Sequence, residues 1–241
     1  MKLQSITDTT NNWAGQREIK VEFAMETTST NDDAKDAALS ETEDLVIYLT
    51  AHQSQGRGRG INHWLDTGAG ESLLSTWSLA VQSPPQAITA PRVGLAVLHA
   101  VSQTWPSLNW SLKAPNDLIL NGKKCGGLLV ETVSDGSRHR LLIGLGFNIL
   151  NHPRKFNEAT HLSPALTQPL EEGEWFQFLD ELKDALTSAL LDIQKPELSE
   201  ATCKQLMQAL NANPAAKFSV TKVTPRGDLV HKGGTISWTE L

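Results

Sequence analysis

The sequence predicts an α+β fold, with a mixed, mostly antiparallel sheet flanked by helices and a small β appendage at the C-terminus. Three observations carry that prediction. Ile19 to Met25 alternates apolar with polar residues, while Leu45 to Ala51 and Leu73 to Val81 are apolar runs of strand length. Asn121-Gly122 stands between two further apolar runs, the strongest short-range signal for a hairpin, because both residues tolerate the positive φ of a type I′ turn. From Glu174, the apolar residues Trp175, Leu179, Leu182, Leu186, Ala189, Leu190 and Ile193 recur at three and four, which describes an amphipathic helix packed on a sheet.

In chain order, Met1 to Gly15 is rich in Thr, Asn and Ser and reads as a loose entry segment before the first strand. Ser29, Thr30 or Asn31 can cap a helix through Ala37 whose first turn carries Asp32 and Asp33, complementing the helix dipole. A plain N-cap and a ligand-facing helix start both fit these residues. After the strands around Tyr48 and Trp77, Ser83-Pro84-Pro85 breaks the chain. Pro91 then opens a helix through Ser102, which Trp105-Pro106 ends. Trp110 to Lys113 is a short strand halted at Ala114-Pro115-Asn116-Asp117, and Lys123 begins the return strand of the Asn-Gly hairpin. Ser134-Asp135-Gly136-Ser137 turns the chain into a strand from Arg138 to Asn148. Residues 151–173 read as an irregular connection. Pro196 ends the long helix, Ser199 to Leu210 forms a shorter one, and Phe218 to Thr221, Asp228 to His231 and Thr235 to Trp238 alternate as short strands. This divides the chain into a large unit at residues 1–195 and a small unit at residues 196–241.

Composition excludes several classes of function. With 39% hydrophobic and 20% charged residues, the chain is an ordinary folded protein. Its net charge of -6 gives no general attraction to nucleic acid or an anionic membrane, so neither is expected as a partner. Cys125 and Cys203 form no ligand pair or disulfide framework, and the histidines show no metal-binding spacing. No apolar run approaches the roughly 18 residues that would cross a bilayer, and the polar N-terminus does not read as a secretion signal. Cytoplasmic residence is the default expectation.

The stretch Gln53-Ser54-Gln55-Gly56-Arg57-Gly58-Arg59-Gly60-Ile61-Asn62-His63-Trp64 is the distinctive one. Alternate glycines free the backbone to curl around a ligand, and two arginines between them offer forked positive charge. It matches neither a Walker loop nor a dinucleotide turn, and a flexible basic loop is the plain alternative. Three other polar motifs sit at strand ends or helix starts: Ser29-Thr30-Asn31, Lys113-Ala114-Pro115-Asn116-Asp117, and Lys124-Cys125-Gly126-Gly127.

Taken in this order, the four motifs resemble the biotin protein ligases (biotin–[acetyl-CoA-carboxylase] ligase), over about residues 19–150. The resemblance implies the class II synthetase-like catalytic fold of biotin and lipoate ligases. It also implies two-step chemistry with ATP and Mg²⁺: biotin is activated as biotinyl-5′-AMP, then transferred to a lysine of a biotin carboxyl carrier domain. It implies roles for particular residues. Lys124 bridges the biotin carboxylate and α-phosphate, and Arg57 and Arg59 cover the mixed anhydride. Asp117 orients the incoming lysine or helps hold Mg²⁺. Ser29, Thr30, Gln53, Gly56, Gly58 and Gly127 contact biotin. Trp64, Asn116 and Asn148 lie toward the nucleotide, with core packing the alternative for Trp64, a turn role for Asn116 and capping for Asn148.

Departures from the family pattern qualify the expectation. Ile61-Asn62 replaces a Gly-Arg pair, removing one cation from the loop, and Ala114 replaces a tryptophan. The C-terminal SH3-like barrel is reduced to the strands after Lys217, and no helix-turn-helix is expected before Ile19. A lipoate or octanoate ligase of the same fold, or a biotin-binding sensor, are the competing readings, and the sequence leaves a homodimer open.

Overall fold

A computed structural model describes residues 3, 5–68 and 70–240. Seven strands form one sheet in the order β1-β2-β3-β7-β6-β5-β4. They are β1 (Lys20–Thr27), β2 (Leu45–Gln53), β3 (Ser72–Val81), β4 (Trp110–Lys113), β5 (Asp117–Leu120), β6 (Lys123–Asp135) and β7 (Arg138–Asn148). Only β1 and β2 run parallel; every other neighbour in this sheet pairs antiparallel. Among the described residues the five α-helices are α1 (Ile6–Gln16), α2 (Thr30–Ala37), α3 (Thr89–Thr104), α4 (Glu172–Leu190) and α5 (Glu200–Asn211). A second sheet holds β8 (Lys222–Val223), β9 (Leu229–His231) and β10 (Gly234–Ile236).

The unbroken apolar run of β2 follows from its covering on both faces. Ile47 and Leu49 join the main core beneath α1, α3 and α4, whereas Val46 and Tyr48 point the other way and pack with Ala34 of α2 and Leu142 of β7. The main core extends without a gap from Ile6 to Trp238, taking in Cys203, Leu206, Val223 and Leu229 of the C-terminal segment. The Asn121-Gly122 turn is built as its residue types require, with φ of 51° and 80°.

Three expectations are corrected. The segment read as a loose entry contains α1, capped by the Ser5 side chain on Asp8 N–H. It buries Ile6 and Trp13 completely. The remainder of that segment includes Met1, Lys2 and Gln4, which lie outside the described residues. β1 is an edge strand with no buried residue and leaves Phe23 and Met25 exposed, rather than half-buried as its alternation predicted. In the tail, the first short strand lies at Lys222–Val223, not Phe218 to Thr221, and Trp238 belongs to a 3-10 turn. Tertiary contacts override weak local patterns in such short stretches.

α2 is only eight residues long, so it covers only part of its face of the sheet. Beyond it, the register aligns Thr76 with Gly144 and Leu129, and Gly146 with Gly127. Because side chains of successive residues alternate across a sheet, these positions share the face that carries α2. Three glycines on neighbouring strands leave the depth for a cavity.

Candidate functional site

The cavity occupies about 1290 Å³ over this glycine floor. Its walls are the start of α2, the Gly-Arg loop, the β4–β5 turn, the start of β6, the connection after β7, and the segment after α5. It brings together Ser29, Thr30, Gln53, Arg57, Gly58, Arg59, Trp64, Asn116, Asp117, Lys124, Gly127 and Asn148, all singled out in the sequence. Gly56 alone of the predicted set lies off the lining. Its carbonyl accepts from Trp64 N–H, and a Cβ there would stand 2.6 Å from the Trp64 carbonyl, so its work is to close the loop.

At one end, Ser29 is the N-cap of α2, yet its side chain makes no capping bond. The Gln53 carboxamide oxygen accepts from the Thr30 N–H at 2.9 Å. Behind them lies a buried polar chain. Thr76 Oγ1 is 2.9 Å from Thr30 Oγ1 and 2.7 Å from Asn31 Oδ1, and Asn31 Nδ2 donates to Glu131 Oε2 at 2.9 Å. Gly144 must be a glycine here, since a Cβ would come within 2.0 Å of Asn31 Oδ1.

The Gly-Arg loop is an ordered, hairpin-like excursion. Gly58 N–H donates to Asn62 C=O, Gly60 takes a φ of 66° at the tip, and Ile61 stands almost fully exposed. Asp66 fixes its base by accepting from the Gln53 and Gly68 N–H groups and pairing with His52. Arg57 grips Glu131 with both terminal nitrogens, at 2.9 and 2.8 Å, and reaches Asp32 at 2.7 Å. Its guanidinium is thus held against two carboxylates, a commitment that the loop pattern alone does not reveal. Burial acts to raise the Glu131 carboxyl, but the hydrogen bonds from Arg57 and Asn31 outweigh it and hold it below the usual carboxylate range.

At the other end, Lys124 Nζ lies 2.6 Å from Asp117 Oδ1 and 5.7 Å from the Trp64 ring centroid. Lys113 approaches the second Asp117 oxygen at 3.8 Å. The Trp64 indole lies on the floor: a Cβ at Gly146 would be 2.4 Å from it, and one at Gly127 would be 3.0 Å away. Asn116 Nδ2 donates to Leu128 C=O, so much of its work is holding the β4–β5 turn to β6. Asn148 is buried at the cavity lining and gives its Nδ2 to Thr160 C=O, while its Oδ1, shut off from solvent, has no hydrogen-bond partner. Cys125 is fully buried and its thiol pKa is pushed up by burial, as befits an inert packing residue.

Several site residues were not found from sequence. Thr76 and Glu131 form the polar chain with Asn31, which stood in the Ser29-Thr30-Asn31 motif without a site role of its own, while Gly144 and Gly146 supply the floor; glycines two apart inside a strand were the available signal. Pro153 to Ala159 and Ala215 to Phe218 form walls from segments that carried no motif. The first is stitched to the lysine strand, with Lys124 N–H donating to Glu158 C=O and Thr160 N–H to Lys124 C=O.

A seven-stranded mixed sheet holding such a cavity beside a short helix defines a fold shared with solved biotin protein ligases. That from Aquifex aeolicus in complex with biotin and ATP superposes with a TM-score of 0.66 at 18% identity, over 90% of this chain and 94% of that one. The Leishmania major enzyme in complex with biotinyl-5-AMP gives 0.59 at 24% identity, over 90% and 97%. Residues 23–148 match the family model of the Biotin/lipoate A/B protein ligase family, and the chain belongs to that family. Among curated relatives, the biotin–[acetyl-CoA-carboxylase] ligase of Mycobacterium tuberculosis is 32% identical over 155 residues, covering 62% of this chain and 57% of that protein. The bifunctional ligase/repressor BirA of Bacillus subtilis is 28% identical, covering 63% and 48%. The match thus spans about half the length of these relatives.

Proposed function

We propose that this chain is an ATP-dependent biotin protein ligase that forms biotinyl-5′-AMP and transfers biotin to a lysine of a biotin carboxyl carrier domain. The observation that carries the proposal is the polarity of the cavity: buried hydroxyls and an amide at one end, a carboxylate-held lysine at the other. The names of the relatives, and of solved structures with biotin, ATP and biotinyl-5-AMP, support the same reading.

In the first step a biotin carboxylate oxygen attacks the α-phosphorus of ATP, the P–O bond to the β-phosphate breaks, and pyrophosphate leaves. Two anionic groups must approach, so fixed positive charge at their meeting point lowers the barrier. Lys124 supplies it, and the Asp117 contact aims the ammonium into the cavity. Arg59, also on the lining, covers the anhydride, while Arg57 shapes the loop through its carboxylate partners. Ser29, Thr30 and Gln53 take the polar ring end of biotin, and the Gly58 and Gly127 backbone allows close approach. Trp64, Asn116 and Asn148 line the cavity toward the nucleotide side. In the second step the carrier lysine attacks the acyl carbon, AMP departs with the bonding electrons, and the amine loses a proton.

Among the described residues no cluster of three His, Cys, Asp or Glu side chains could hold a metal. Mg²⁺ bound with ATP phosphates would need only one or two protein carboxylates. Asp117, whose two carboxylate oxygens face Lys124 and Lys113, is the side chain that would help hold it. Residues 1–195 carry this chemistry, with residues 196–241 closing one wall, and the cytoplasm, where ATP is supplied, is the compartment that suits it.

The test is to incubate the purified chain with biotin, Mg·ATP and a carrier domain, measuring pyrophosphate release and biotin incorporation. Incorporation that requires all three supports the reading. Tight biotin binding without pyrophosphate release would make the chain a sensor, and transfer of lipoate instead of biotin would overturn the substrate.

A further inference from the structure

The buried chain behind the cavity has a direction, and Glu131 sets it. We propose that Glu131, acting through Asn31 and Thr76, is a positioning residue that fixes the Thr30 hydroxyl as a hydrogen-bond acceptor toward the ligand. The inference rests on the proposed function for the identity of that ligand, but the chain itself is read from proton counting.

An ionised carboxylate only accepts. Glu131 Oε2 therefore requires the Nδ2 end of Asn31, at 2.9 Å, and the same nitrogen faces Leu129 C=O at 3.4 Å. Asn31 Oδ1 is thereby turned to Thr76, and as a carbonyl oxygen it can only accept. The single Thr76 hydroxyl proton is spent on it at 2.7 Å. The remaining contact, 2.9 Å between Thr76 Oγ1 and Thr30 Oγ1, must then be filled by the proton of Thr30. The alternative acceptor for that proton, Gln53 Oε1, is more distant at 3.3 Å and already receives the Thr30 N–H. Thr30 is left with lone pairs for the cavity and no proton to give it.

Thr30, Asn31 and Thr76 are all buried, so water does not scramble the order. Gly144 permits it, as any side chain there would strike Asn31. Glu131 stays ionised because Arg57 holds it bidentately, which ties the loop arginine to the orientation of a hydroxyl at the ring end of the cavity. The ligand atom that meets Thr30 must carry hydrogen: an N–H of a ureido ring satisfies it, and a ring oxygen does not. Sites built around a buried hydrogen bond reject a ligand lacking the matching group by roughly 10⁴-fold or more.

The chain also says how to reverse its direction. Glu131→Gln ends the acceptor-only chemistry: with Nε2 in place of Oε2 the side chain keeps the Arg57 Nη2 bond, gives up the Arg57 Nη1 bond and donates to Asn31, whose amide then flips and sends the protons the other way. Thr76→Val removes the middle link at constant shape, and Thr76→Ser restores it.

The test measures binding of biotin and of its two cyclic-carbamate analogues, each with a ring oxygen in place of one ureido N–H, by titration calorimetry without ATP. The wild-type chain is expected to prefer biotin to one carbamate by at least about 100-fold, below the bound cited for such sites because the cavity is open at its mouth. That ratio falls at least about tenfold in Glu131→Gln and in Thr76→Val, and is retained in Thr76→Ser. Unchanged ratios in Glu131→Gln and Thr76→Val, or a ratio lost equally in Thr76→Ser, overturn the relay while leaving the ligase reading standing. A wild-type chain that binds no biotin overturns both.

Discussion

Lys124 and Asp117 project from paired strands of the β5–β6 hairpin, and their charged atoms meet at 2.6 Å beside the Trp64 ring. Two-fifths of the Lys124 side chain is exposed, so solvent screens the pair and its contribution to stability is small. Its value is positional. A flexible four-carbon stem would otherwise sample many directions, whereas here the ammonium is aimed before any ligand arrives.

Lys124→Met should accordingly abolish chemistry with little effect on the fold. Biotin-dependent pyrophosphate release is expected to fall by about 10²-fold or more, the usual cost of removing one group that stabilises developing charge. Asp117→Asn keeps the shape and loses the aim, so a smaller loss of about tenfold is expected. Thermal unfolding of both should stay close to wild type, and a large drop in Tm would mean that the pair is structural instead.

The glycine floor makes a second prediction. Gly146→Ala places a methyl 2.4 Å from the Trp64 indole, so the ring must leave the floor and the loop must shift with it. Biotin affinity should fall at least about tenfold and unfolding free energy by about 1–3 kcal/mol, the range for overpacking. Gly15→Ala is the contrast: nothing lies within 4 Å of its added methyl, and it sits in α1. There the gain in helix propensity should raise stability by about 0.5–1 kcal/mol. Urea unfolding of the pair checks both signs.

Much of this site was legible because its parts are local. Gly-Arg-Gly-Arg, Pro115-Asn116-Asp117 and the Asn121-Gly122 hairpin each need particular residue types at fixed spacing, whatever surrounds them. What stayed hidden was pairing across the sheet. Glu131 lies on the strand that carries the Lys124-Cys125-Gly126-Gly127 motif, yet nothing in the chain says that it faces Arg57, 74 positions away, or that Asn31 lies over Gly144. The register that aligns Thr76 with Gly144 and Leu129 is a property of three strands together, and it creates the polar chain. The tail was misplaced for the opposite reason: strands of two or three residues carry too little pattern to fix their bounds.

Helix α1 was missed because its polar residues mask one strong apolar contact. Trp13 is fully buried, its ring centroid lies 5.9 Å from that of Trp77, and its indole N–H donates to Asp180 of α4 at 3.0 Å. Arg17 grips the same carboxylate. Trp13→Ala should cost about 3–5 kcal/mol, as large-to-small changes do in packed cores. A loss under about 1 kcal/mol in urea unfolding would restore the view of this segment as a loose entry.

Acid should weaken the wall that carries Pro153 to Ala159. His152 and His161 meet through their Nδ1 atoms at 2.7 Å at the two ends of this segment, so one ring must be neutral to accept from the other. Burial, then the neighbouring His152, holds the His161 pKa below its ordinary value, against a partial opposing pull from Glu71. The neutral form is therefore favoured in the fold, and the unfolded chain takes up the proton first. Stability from this group is fully present above the unfolded value of about 6.5 and is lost as pH falls through the depressed folded value. Between about pH 7 and pH 5, Tm should fall more steeply for the wild-type chain than for His161→Gln, which has no proton to gain. Because the same segment exchanges two backbone hydrogen bonds with Lys124, its loosening frees the strand that holds Lys124. The protection of the Thr160 amide against hydrogen exchange, relative to its intrinsic rate at each pH, should thus fall on acidification in the wild-type chain and not in the variant. Equal pH slopes for the two proteins would show that the imidazole pair is only packing.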